Sequence, residues 1–272
     1  MTIKNILVSY NGSPAAQSAL NTALVMAKRY DAHLTGVLAH GLPSLLYAYG
    51  GHVPQTAMDQ LEESDKAHRS EVRKLFDETT GPFPADQLHF LDVYGEADEV
   101  LMDVALGFDL VVMGKADNRS DFPHMEVHPD VVARNSGKPV LMVPTGYDPS
   151  GFNDKLVLSW DGRRAAARAM SDAIGLVKPK AEVSVLCIGN PEEAEVKAVP
   201  AVAHLERHGF KVTLVTRRAK KIAKTILEIA KEEGAGMLVM GAYEHAKIRE
   251  DLFGGVTNSV LKKSTIPVLL SH

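Results

Sequence analysis

A single cysteine in 272 residues excludes both a disulfide framework and a cysteine-based metal cluster. Cys187 sits inside the apolar run VSVLCIG and reads as a buried, inert thiol. No stretch approaches the eighteen consecutive apolar residues that a membrane-spanning helix needs. The N-terminal MTIKNILVSYNG enters a strand directly, without a basic region, a long apolar core and a small-residue cleavage site. The expectation is a soluble, cytoplasmic protein with no membrane partner. The glycine-rich GxxxxGK[ST] loop is missing, which excludes a P-loop ATPase. No serine occupies a Gly-x-Ser-x-Gly elbow, and neither Ser9 nor Ser159 is tied to a histidine by spacing, so no catalytic nucleophile is nominated.

What is present is enough for two cores: 45% of the residues are hydrophobic, in a chain longer than one average domain. The net charge of −4 conceals an asymmetry. Residues 1–150 carry 11 Lys and Arg against 20 Asp and Glu, a formal −9, and residues 151–272 carry 19 against 14, a formal +5. The second half is the better host for an anion, and the opposite signs also favour docking of the halves on each other. The dense basic run RRAKKIAK, from Arg217 to Lys224, falls at a helix start and reads as a solvated helix face, and no nucleic-acid partner is expected.

The chain is one unit written twice. NILVSYNGSPAAQSALNTAL from Asn5 matches KLVLSWDGRRAAARAMSDAI from Lys155 at a constant offset of 150. Tyr10 pairs with Trp160, Asn11 with Asp161, Gly12 with Gly162, and four alanines of the first helix with four of the second. DLVVMGKA from Asp109 matches GMLVMGAY at an offset of 127, and KPVLMVP from Lys138 matches IPVLLSH at 128. The second copy is about 22 residues shorter, because the first carries HGLPSLLYAYGGHVPQTAMDQLEESD, an insertion over residues 40–65 that reads either as a lid or as a packing loop. Within each copy strand and helix alternate. NILVSY is a buried strand, SPAAQSALNTALVMAKRY a helix with Ser13 as N-cap and Pro14 at N1, and MDQLEESDKAHRSEVRKLFDET a long amphipathic helix. This order predicts two doubly wound, parallel α/β sheets, over residues 1–147 and 153–272, with ligands at the carboxyl ends of strands.

The set ILVSYNGSP, LVLSWDGRR, LVVMG, LVMG, LFGGV and PVL, in this order and found twice, resembles the universal stress protein family, and the resemblance covers nearly the whole chain. It implies a five-stranded, adenine-nucleotide alpha hydrolase-like sheet in each copy, an association of copies through their last strands, and a role in stress response. Nucleotide-binding members carry Gly, two residues, Gly, nine residues, Gly, then Ser or Thr, with an Asp at the end of the first strand. In the second copy Gly241, Gly254 and Asp161 match, while Glu244 replaces the second glycine and Gly255 the hydroxyl residue. Thr257 lies two residues on and offers a hydroxyl, and Lys247 and Arg249 are cations within reach or simply solvated. In the first copy only Gly114 matches; Asp117, Glu126, Val127 and Asn11 occupy the other positions, so that site is lost. The resemblance therefore implies at most weak binding of ATP or another adenine nucleotide, in the second copy, at Asp161, Gly241, Gly254, Gly255 and Thr257. The competing account of GGVTNSV is a tight turn kept for packing.

Three functions remain open at this point: a non-catalytic binding and interaction protein, a slow ATPase or nucleotidyl transferase, and a carrier of an apolar ligand under the insertion. The two halves pair within one chain or between chains in a homodimer, with an unidentified protein partner. DFPHMEVHPD places His124 and His128 at zinc-binding spacing only if helical, and Pro123 and Pro129 oppose a regular helix, so exposed loop histidines are expected, with His40, His52 and His68 nearby in sequence. Tyr10 and Trp160 either flank the two clefts or plug them.

Overall fold

The computed structural model describes residues 3–41, 55–115, 122–242 and 255–272. In the first copy, strands β1 (Asn5–Ser9), β2 (His33–His40), β3 (Leu88–Tyr94), β4 (Leu110–Gly114) and β5 (Val140–Val143) alternate with helices α1 (Pro14–Tyr30), α2 (Gln55–Thr80), α3 (Ala97–Ala105) and α4 (Pro129–Asn135). The second copy repeats this with β6 (Lys155–Ser159), α5 (Arg164–Ile174), β7 (Glu182–Ile188), α6 (Pro191–Arg207), β8 (Lys211–Arg217), α7 (Ile222–Glu232), β9 (Met237–Gly241), α8 (Gly255–Lys263) and β10 (Val268–Ser271). The two five-stranded sheets are halves of one ten-stranded sheet in the order β3-β2-β1-β4-β5-β10-β9-β6-β7-β8. β5 and β10 pair antiparallel, Leu141 opposite Leu269, and the other pairs are parallel. Each copy would otherwise leave its last strand as an open edge, and the junction closes both.

Alternation of side chains onto two covered faces explains why the inner strands are largely apolar, while the outer strands β3 and β8 carry polar residues. Ile6, Val8, Leu110, Val112 and Leu141 face the layer of α1, α2, α5 and α6. Leu7, Val111, Met113, Val140 and Met142 face the layer of α3, α4, α7 and α8. Both cores run across the junction. Helix α1 begins as its sequence dictates: Ser13 Oγ accepts from Ala16 N at 3.2 Å and Pro14 follows, while Asp31 ends the helix in the left-handed region at φ 50°. Ser13→Ala is expected to cost about 1 kcal/mol, read as a lower denaturant midpoint at unchanged slope.

In the region of the insertion, β2 continues through His40 and α2 begins at Gln55, and residues 42–54 lie outside the described residues. The second copy has a counterpart helix where the sequence showed little: α6 opens at Pro191 and runs 17 residues against 26 for α2. Further contacts tie the copies together. Arg29 on α1 pairs with Asp154, Tyr30 Oη donates to the Leu176 carbonyl, and Lys115 Nζ donates to the Lys262 carbonyl at the end of α8 at 2.6 Å.

Candidate functional site

In each half the strand order reverses between its first and fourth strands, β1 and β4 or β6 and β9, and a doubly wound sheet opens a crevice at that switch point. In the second copy Asp161 follows β6 and Gly241 ends β9, and these strands are paired with Ser159 beside Met240. Because α8 connects the parallel strands β9 and β10, its N-terminus, Gly255, lies at the same carboxyl end. Asp161, Gly241 and Gly255 are thus gathered at one strand end. Thr257, in the first turn of α8, is buried at 6% exposure. Gly254, Glu244, Lys247 and Arg249 lie outside the described residues.

Asp161 is half-exposed, and its Oδ1 accepts from Arg163 N at 3.0 Å while Oδ2 stands 4.0 Å from Arg163 Nε. Cations stand at the carboxyl end of the outer strand β8, beside the acidic first turn of α6 with Glu192 and Glu193. Arg217 ends β8, and Arg218, the next residue, donates to Asn190 Oδ1 at 3.3 Å across the end of β7; Lys220 and Lys221 follow before α7. Reading RRAKKIAK as a helix face missed this: α7 starts only at Ile222, so the first five residues of the run belong to the strand end and the loop after it. A cationic run that begins on a strand's last residue was the available signal.

The equivalent point in the first copy is closed. Asn11 takes the place of Asp161, and its Nδ2 donates to the Met125 carbonyl at 3.4 Å, with the Met125 side chain 2% exposed. The recess left among Ser9, Asn11, Ser13, Gly114, Lys115 and Glu126 has room of about 20 Å³, space for a water and far short of a nucleotide. Tyr10 and Trp160 resolve the same way. Both are buried, with Tyr10 Oη donating to Gln17 Oε1 at 2.7 Å and Trp160 Nε1 to the Lys197 carbonyl at 3.0 Å, so they pack the helix layers and line no cleft. Burial pushes the Tyr10 phenol up to about 12.

Gly241 and Gly114 share a structural duty. A Cβ at Gly241 would lie 2.6 Å from the Ala165 carbonyl carbon, and one at Gly114 would lie 2.4 Å from that of Ala15. In both copies the strand end abuts the backbone at the start of the helix that follows the neighbouring strand, α1 after β1 and α5 after β6.

His124 is not an exposed loop residue as expected. Its Nε2 lies 3.0 Å from Asp65 Oδ2 on α2, with the side chain 8% exposed. His128 turns instead to Asp98, Nδ1 to Oδ2 at 2.9 Å, and that hydrogen bond, ahead of burial, raises its pKa. Each histidine answers a different carboxylate, and among the described residues no group of three or more His, Cys, Asp or Glu is placed to hold a metal. Cys187 is buried, and burial pushes its thiol up to about 11. No helix among the described residues is long and apolar enough to cross a membrane.

Comparison with known proteins matches residues 2–144 and 188–272 to the model of the universal stress protein family. The chain is 25% identical over 179 residues to a universal stress protein of Synechocystis sp., a match covering 63% of this chain and 60% of that protein. It is 37% identical over 79 residues to a universal stress protein of Methanocaldococcus jannaschii, covering 29% of this chain and 48% of the other. The crystal structure of a universal stress protein from Archaeoglobus fulgidus superposes with a TM-score of 0.74 at 15% identity, covering 98% of this chain and 95% of that one, a likeness of fold.

Proposed function

Since this chain belongs to the universal stress protein family, we propose that it works in stress response by binding and interaction, without turnover, and that its second copy supplies an anion-accepting crevice of low affinity for adenine nucleotides. The crevice is formed by Asp161, Gly241, Gly254, Gly255 and Thr257, and the first copy serves as its structural partner. The observation that carries this reading is the contrast between two equivalent strand ends. One is closed around the contact of Asn11 with the Met125 carbonyl, and the other has a carboxylate, Arg163 and a helix N-terminus at the ends of β6 and β9, with Arg217 and Arg218 at the carboxyl end of the outer strand β8. A helix N-terminus and oriented guanidinium groups favour phosphate oxygens.

Turnover is left out because it requires an ordered metal beside a triphosphate, and Asp161, the carboxylate that follows β6, is already shared with Arg163. The junction of β5 with β10 already covers the edge that a second chain would otherwise cover, so the pairing of halves is intramolecular and a homodimer would have to use another surface.

Native mass spectrometry of undialysed protein, followed by calorimetric titration with ATP and Mg²⁺, tests the reading. One nucleotide per chain is expected, weakened about tenfold or more in Arg217→Ala/Arg218→Ala, the loss of roughly one charge-assisted contact. Binding that survives the double substitution unchanged, or no binding at millimolar ATP, would remove the crevice from the account. Phosphate release above background that vanishes in Asp161→Ala would make the protein an enzyme.

A further inference from the structure

The strand ends of the first copy hold a group of ionisable side chains that the nucleotide reading does not use. His40, at the end of β2, is 14% exposed, and its Nε2 lies 3.0 Å from Asp92 Oδ1 on β3. The same Nε2 lies 3.0 Å from Arg69 Nη1 on α2, which in turn donates to Asp92 Oδ2 at 3.0 Å. One turn earlier on α2, Asp65 meets His124, and His68 stacks on Phe122 with ring centroids 3.9 Å apart. Asp65 Oδ1 and Arg69 Nε are both buried without a hydrogen-bond partner. The apolar anchors of α2, Val72 and Phe76, lie further along, so residues 65–69 are held to the sheet by polar and aromatic contacts.

His40 Nε2 cannot satisfy both of its neighbours in one protonation state. Neutral, with its proton on Nδ1, it accepts from the Arg69 N–H and leaves Asp92 to the guanidinium. Protonated, it donates to Asp92 and becomes a second cation 3.0 Å from Arg69. We propose that His40 is a proton-operated latch on the N-terminal part of α2: neutral it holds Arg69 at the strand ends, and charged it expels Arg69 and loosens the helix there.

The groups that face His40 come from every element around it. Burial and Arg69 lower its pKa, His124 acts in the same direction, and Asp92 and Asp65 oppose them. The Tyr94 ring meets the His40 ring in a T-shaped contact with centroids 5.5 Å apart. The sign follows from the lowered value. The unfolded or opened state binds the proton more readily, so stabilisation by neutral His40 is complete above about 6.5 and is lost as pH falls below it.

Hydrogen exchange of the intact protein, with rates corrected for their intrinsic pH dependence, tests the latch. Protection of amides in residues 55–70 is expected to fall several-fold between pH 7.5 and 5.5, because the open state takes up a proton that the closed state resists. In His40→Gln, which keeps an acceptor for Arg69 and cannot charge, the fall should be less than twofold. Equal loss in His40→Gln, or flat protection in the wild type, overturns the proposal. If His40→Gln does not fold, an NMR titration of wild-type His40 decides: a midpoint clearly below 6.5 supports the latch, and one at or above it refutes it.

Discussion

Replacing Glu244 with glycine is expected to tighten ATP binding by the second copy between about fivefold and a thousandfold, measured by calorimetry against the wild type. In the motif that this copy half retains, position 244 is where nucleotide-binding members of the family place their second glycine, so that a phosphate can approach the backbone. A glutamate there obstructs that approach and adds a like charge. Two charges about 4 Å apart repel by about 1 kcal/mol in water and about 4 kcal/mol at an effective dielectric of 20, which brackets the expected range. Adding Gly255→Ser at N1 of α8 restores the missing hydroxyl and should contribute about another fivefold, the worth of one good hydrogen bond. Affinity unchanged in Glu244→Gly would mean that the carboxylate is not beside the phosphates, and the crevice would have to be redrawn around Arg217 and Arg218.

Most of the architecture was legible from two patterns. The offsets of 150, 127 and 128 between matching segments reproduce the bounds of β1 and β6, β4 and β9, and β5 and β10 residue for residue. Buried strands and capped helices are local features, and the sequence carries them locally: Ser13 and Pro14 open α1, and apolar runs mark strands covered on both faces. The join of ten strands into one sheet followed from the family resemblance, because nothing in PVLMV or PVLLS separately shows that β5 and β10 will be neighbours.

What escaped was everything fixed by distance in space. His40, Arg69, Asp92, Asp65 and His124 come from four parts of the chain: the parallel crossover from β2 through α2 to β3 gathers the first four, and the segment after β4 adds His124. His124 read as exposed because its neighbours DFP and EVHP look like loop, yet a loop that folds over a strand end buries whatever points inward. Met125 is the clearest instance: an unremarked residue in the sequence, it accounts for the closure of the first copy's crevice. The second helix of the second copy was missed for a local reason. GNPEEAEV looks like a truncated insertion until Asn190 and Pro191 are recognised as an N-cap and an N1 residue.

Gly114→Ala is expected to lower the melting temperature by about 6–12 °C, although it touches no open crevice. The added Cβ would lie 2.4 Å from Ala15 C, 2.5 Å from Ala15 O and 2.8 Å from Ala16 N. All three are backbone atoms at the start of α1, so no rotamer change relieves the clash, and the helix start or the end of β4 must move. Overpacking of this kind costs about 3 kcal/mol, and a chain of this size loses about 2–4 °C per kcal/mol. Gly241→Ala meets the same geometry, with a Cβ 2.6 Å from Ala165 C and from Ala166 N, and should lose a similar amount. The pair separates two reasons for a glycine at a strand end. If both variants melt early while Gly241→Ala, assayed below its melting point, binds ATP as the wild type does, the glycine is required by packing, and the ligand case rests on α8 and the cations at the end of β8. If Gly114→Ala melts within a degree of the wild type, the helix start yields to a methyl group, and the retention of glycine at 241 regains its weight as a sign of a phosphate.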